Sequence, residues 1–164
     1  HPAAESVLSE LIAHPQYEPI ILTNSLGDKV KRHLAALNLD DKLPVLGDTR
    51  QYDMAADCHC YFPALGEEQI WQVNEDYAID LRRPAYYQAL VEAAADGAQL
   101  AVVADTLSLP GAMPLMMSIP FFLTRTAYTP DWCQQAVETH PWGTVLADLA
   151  DLPAALAKLP KSSP

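Results

Sequence analysis

The chain has 164 residues, 50% of them hydrophobic and 19% charged, enough material to bury a core in a single domain spanning residues 1–164. Its formal net charge of −11 argues against nucleic acid as a partner, because no basic stripe offsets it, and an anionic ligand needs a local positive pocket. No apolar run reaches the roughly 18 residues of a membrane span and no signal-peptide pattern is present, so neither a membrane partner nor export is expected.

Taken in chain order, residues 4 to 13 put Val7, Leu8, Leu11 and Ile12 on one helical face, and Pro15 ends the segment. Pro19 to Leu22 is a short apolar run, the pattern of a buried parallel strand, closing in Thr23, Asn24 and Ser25. A helix is expected from about Asp28 to Leu37, with Val30, Leu34 and Leu37 inward and Lys29, Lys31 and Arg32 outward. Leu43 to Leu46 reads as the next strand and ends in Gly47 and Asp48. Periodicity is then lost over residues 49 to 80, an irregular insertion with a short hairpin expected near Gln69 to Val73. Helical spacing returns from Pro84 to Ala95, where a first-turn proline is well tolerated. Leu100 to Ala104 and Pro120 to Thr124 are two more buried strands. Val145 and Leu146 are expected to form a last short one, and a helix closes the chain from Leu152 to Leu159.

Short parallel strands joined by helices predict an α/β fold, a three-layer Rossmann-like, doubly wound and mostly parallel sheet. Ligands of such sheets lie at the carboxyl ends of the strands, which here carry Thr23 and Asn24, Gly47 and Asp48, Asp105, and Thr124 to Thr126. Any one of these polar residues also reads as a helix N-cap; their joint occurrence is what points to a site.

The order LTNS, then LRRPAYYQAL, then VVADTLSLPGAMPLMMSIPFFLTRTAYTPDW, closing with LADLADLPAAL, resembles the haloacid dehalogenase superfamily of hydrolases over roughly residues 4 to 159. The resemblance implies a phosphatase-type hydrolase acting on a small phosphorylated molecule with Mg²⁺. It makes Thr23, beside Asn24, the residue that holds the transferring phosphoryl group. Arg83 neutralises the phosphate, with Arg82 as its neighbour, and Asp105 is the first acid of the metal site. Positioned charge and a metal do most of the work in phosphoryl transfer, so the set is chemically coherent.

Two departures limit what the resemblance implies. The family pattern has GD where this chain has Ala104 and Asp105, and a second acid where Pro110 stands, which weakens a site held by carboxylates. The first family motif, DxD followed by x and T or V, supplies the aspartate nucleophile on the central strand, and no DxD occurs in the sequence. Without it the covalent route is closed, so no catalytic residue is assigned and the core is expected to be inactive as it stands. Either a preceding segment carries that strand, as the opening at His1 in mid-pattern suggests, or the chain is a degenerate relative whose flanking strands pair directly. Pro110 favours a non-catalytic relative in both cases. Strand edges left open by a missing strand would invite a second copy or the missing N-terminal segment.

Other candidates read more plainly. Cys58, Cys60 and Cys133 are an odd number without framework spacing, so reduced thiols in a cytoplasmic protein are expected. CHC at Cys58 to Cys60 lacks the second ligand pair of a structural zinc site and reads as a loop with incidental thiols. GDTRQYD from Gly47 to Asp53 imitates the family's metal motif after the wrong strand, and reads as a turn and N-cap. Met113, Met116 and Met117 are expected to pack against the sheet. HPW at His140 to Trp142 reads as a packed turn. Three functions follow as alternatives: a Mg²⁺-dependent hydrolase completed by an upstream nucleophile, a non-catalytic phosphate-binding relative, or an interaction scaffold whose contact surface is the insertion with Trp71 and Tyr77.

Overall fold

The computed structural model describes residues 3–47, 50, 52–62, 65–95 and 97–160. Its elements in chain order are α1 (Ala4–Ala13), β1 (Ile21–Leu22), α2 (Gly27–Ala35), β2 (Val45–Leu46), β3 (Ile70–Gln72), β4 (Ala78–Asp80) and α3 (Pro84–Ala93). They continue with β5 (Val102–Ala104), α4 (Ala112–Met116), β6 (Phe121–Thr124), α5 (Asp131–Thr139), β7 (Gly143–Leu146) and α6 (Leu152–Leu156). The architecture is mixed α/β, and its contacts gather into two compact units. The first holds residues 1–51 and 149–159; the second holds residues 52–148 and 160–164.

In the first unit, β1 and β2 pair in parallel, Ile21 opposite Val45 and Leu22 opposite Leu46. The unit's core is Leu34, Leu39 and Leu43, packed by Leu8, Ile12, Ile21, Val30, Leu37 and Val45. Each fully buried leucine contributes about 1.5–3 kcal/mol. Helix α1 buries Val7 and Leu11, four residues apart, and stops at His14, whose extended backbone (φ −85°, ψ 121°) is the conformation imposed on the residue before Pro15. Lys29, Lys31 and Arg32 lie exposed on α2. Asp48, at the expected end of the β2 strand, lies outside the described residues.

The second unit contains a three-stranded parallel sheet in the order β5, β6, β7, with Val102 opposite Phe121 and Phe121 opposite Gly143. β6 is central and covered on both faces: Phe121, Phe122 and Leu123 are buried, which is why it reads as an unbroken apolar run. Leu107, Leu115 and Val137 complete this core. Between β5 and α4 the turn Leu107–Gly111 opens at Leu109 (φ −150°, ψ 113°) before α4 begins. Two glycines permit the close packing here. A Cβ on Gly111 would run into the Phe121 ring, and one on Gly143 into the Val137 carbonyl.

Two features differ from the sequence expectations. The hairpin is longer and later than Gln69 to Val73: β3 and β4 pair antiparallel, Trp71 opposite Ile79, around a turn in which Asn74 Oδ1 accepts from the Asp76 and Tyr77 amides at 3.0 and 2.9 Å. Helix α5 was not foreseen at all; it buries only Cys133 and Val137, one turn apart, behind Pro130.

Candidate functional site

Thr23 follows β1; its amide donates to the Leu46 carbonyl at 3.0 Å and its hydroxyl accepts from the Ser25 amide at 3.1 Å. Asn24 follows, exposed. This turn is packed closely by β2, since a Cβ on Gly47 would stand 3.0 Å from the Ser25 carbonyl and closer still to Gly27. Thr23 and Asn24 belong to the first unit. Arg83 and Asp105 belong to the second.

Arg83 precedes Pro84, the first residue of α3, and is 9% exposed. Its Nε donates to the Tyr52 carbonyl at 3.2 Å. Burial pushes its guanidinium below an arginine's ordinary value, and the Asp80 charge opposes that shift. The neighbouring Arg82 is committed elsewhere: Nη2 reaches Asp80 Oδ2 at 2.6 Å, Nε reaches Oδ1 at 3.0 Å, and Nη1 reaches the Ala56 carbonyl at 3.3 Å. Arg82 accordingly holds the Asp80 carboxyl below the usual carboxylate range. The fork geometry of arginine makes this a paired contact, whereas the Arg83 side chain donates to the Tyr52 carbonyl instead.

Asp105 sits exposed just past β5 and accepts from the Thr106 hydroxyl at 3.0 Å. The turn beyond it is fastened to α3, because the Tyr86 hydroxyl donates to the Pro110 carbonyl at 3.0 Å. Tyr52 meets the Tyr86 ring edge-on at 4.9 Å, and burial pushes the Tyr52 phenol up to about 12. Tyr86 is raised further, by its own burial and then by Tyr52. Tyr52 and Tyr86 therefore connect the Arg83 segment to the turn after Asp105. Sequence reasoning passed over both; the available signal was Tyr86 one helical turn after Arg83.

Asp105 brings one carboxylate to the end of β5, the Pro110 carbonyl is taken by the Tyr86 hydroxyl, and no group of three His, Cys, Asp or Glu gathers among the described residues. Asp53, the second acid of the GDTRQYD stretch, is exposed.

The cysteines require a correction. Cys58 and Cys60 are joined in a disulfide, so the expected reduced, incidental thiols are not found there, and the inference to a cytoplasmic compartment that rested on them loses its support. With its sulfurs bonded to each other, CHC offers no thiolate to zinc. Cys133 is free but buried, which pushes its thiol up against the lowering effect of a hydrogen bond from the Leu107 backbone; it is not an activated nucleophile. HPW is a packed turn, with the His140 ring edge-on to Trp71 at 5.9 Å and its Nδ1 accepting from the Trp142 amide at 3.3 Å. Met113 is buried in α4. No helix among the described residues is long and apolar enough to cross a membrane.

Compared with protein-family models, with curated proteins and with solved structures, the chain finds no match.

Proposed function

We propose that this chain is a phosphatase-type, haloacid-dehalogenase-like core that binds the phosphoryl group of a small molecule at Arg83 and, lacking the aspartate nucleophile, does not turn it over alone. The observation that carries this reading is the buried guanidinium at the head of α3, held by the Tyr52 carbonyl while Arg82 is occupied with Asp80. The guanidinium fork matches the geometry of a phosphate, and in a chain of net charge −11 Arg83 supplies the local positive charge an anion needs. The direction of the strand pairing agrees with this. Among the described residues β1 pairs with β2 and β5 with β6, each pair parallel as a Rossmann-like core requires.

Calorimetric titration with inorganic phosphate and with orthovanadate tests the proposal. Both should bind, Arg83→Lys should weaken binding and Arg83→Ala should abolish it, with circular dichroism confirming that the variants fold. Binding that survives Arg83→Ala, or no binding to the parent chain, overturns it.

A scaffold role has one observation in its favour: Met54, Tyr61, Ile70 and Tyr77 expose 62%, 71%, 37% and 44% of their surface, all within the insertion. Sedimentation of the parent chain against Tyr61→Ser and Ile70→Ser variants tests for a self-interacting surface there. Association lost in the variants supports the scaffold, and a monomer at all concentrations removes self-association through this patch.

A further inference from the structure

We infer that the Cys58–Cys60 disulfide is a thiol–disulfide exchange site for small thiols, with Cys58 as the exchanging sulfur and Cys60 as the resolving one. Three observations carry this. First, the bridge closes over His59 alone. The restraint a crosslink places on the unfolded chain grows with the logarithm of the loop it closes, so this shortest of loops makes a weak staple, and reducing it should leave the fold standing. Second, the bridge lines an open cleft of about 430 Å³, together with His59, Pro84, Tyr87 and Gln88, large enough for a small thiol. Third, the two sulfurs are unequal. Cys60 is buried at 7% exposure while Cys58 is half-buried, and the Cys60 amide donates to Cys58 Sγ at 3.3 Å. That hydrogen bond favours the thiolate form of Cys58 once the bridge opens.

The chemistry balances with a small thiol as reductant. Its thiolate attacks Cys58 Sγ, forming a mixed disulfide and breaking the bond to Cys60, which departs as a thiolate and takes up a proton. A second small thiolate then attacks the ligand's sulfur, releasing the Cys58 thiolate and a small-molecule disulfide. In reverse, Cys58 attacks a small disulfide, and Cys60 displaces the bound half to restore the bridge.

The test equilibrates the full chain in graded glutathione redox buffers, traps thiols by alkylation and reads the product by mass spectrometry, with circular dichroism followed in parallel. Opening of the Cys58–Cys60 bridge with an unchanged spectrum is the expected result. In Cys60→Ser the glutathione adduct should accumulate on Cys58, forming about tenfold faster than the adduct on Cys60 in Cys58→Ser. Reduction only together with unfolding, equal adduct rates at the two cysteines, or a dithiol that persists in oxidised glutathione would each overturn the inference. If either variant fails to fold, the opening of the parent bridge with or without loss of structure still decides it.

Discussion

The Tyr86 hydroxyl donates to the Pro110 carbonyl across 3.0 Å, tying the first turn of α3 to the turn that follows β5. Tyr86 is 1% exposed, so its hydroxyl has no solvent to return to if the bond is lost. Removing the hydroxyl alone in Tyr86→Phe should cost about 1 kcal/mol. Truncation to alanine empties a ring-sized space as well and should cost about 3–5 kcal/mol. Urea unfolding followed by tryptophan fluorescence reads both, with the midpoint lowered and the slope unchanged if only stability is affected.

The ring that Tyr86 meets, Tyr52, makes the molecule sensitive to alkali. Burial raises the Tyr52 phenol to about 12, against about 10 for an unfolded tyrosine. A raised folded value means that the stabilisation is fully present below pH of about 10 and is lost as pH climbs through about 12. Stability measured in that window should fall, and less steeply in Tyr52→Phe. Equal slopes for parent and variant would show that Tyr52 ionises as freely in the fold as outside it.

Asp80 has the opposite sign. Arg82 lowers its folded value, so the stabilisation exists above the unfolded value of about 3.9 and disappears as pH falls through the lower folded one. Asp80→Asn should therefore be less stable than the parent at neutral pH, and the two curves should converge as acid is added. The pair is partly exposed, so the gap at neutral pH should shrink with added salt.

Gly143 and Gly111 allow approaches that alanine cannot make. At Gly143 the obstacle is the Val137 carbonyl, which is backbone within α5; at Gly111 it is the fully buried Phe121 ring. Overpacking of this kind costs about 1–3 kcal/mol, so Gly143→Ala and Gly111→Ala should each lower the melting temperature by several degrees. Carbonyl and ring differ in their freedom to yield, which makes Gly143→Ala the more damaging of the two.

The parts of this fold that were legible are those written as apolar runs. Pro19 to Leu22, Leu43 to Leu46, Leu100 to Ala104 and Pro120 to Thr124 each contain an observed parallel strand, but only β6 has the expected burial on both faces, since Leu46 in β2 and Val103 in β5 are 43% and 37% exposed. Helix α5 was missed because Cys133 and Val137 are its only buried residues, too few for a period. Tyr52 lies in the insertion, where periodicity says nothing, and only its tertiary contacts with Arg83 and Tyr86 bring it to the site. The disulfide was illegible for a related reason: a one-residue spacing matches no framework pattern, and its formation depends on local backbone geometry. Motif order placed Thr23, Asn24, Arg83 and Asp105 in one expected site, but order carries no information on which compact unit each side chain joins.

The hairpin is held to α5 by aromatic rings. Tyr77, just before β4, stacks on Trp132 in the first turn of α5 with centroids 4.4 Å apart and planes 11° from parallel. Tyr77 keeps 44% of its surface in solvent, so area burial alone contributes little, and the stacking itself should dominate the interaction. Such pairs are worth about 0.5–1.5 kcal/mol beyond buried area. A double-mutant cycle through Tyr77→Ala, Trp132→Ala and the double variant isolates that coupling from the loss of either ring alone. A coupling in that range identifies the stack as the fastening of the hairpin. A coupling near zero would leave Trp71 against His140, 5.9 Å apart on the same hairpin, as the contact that holds it.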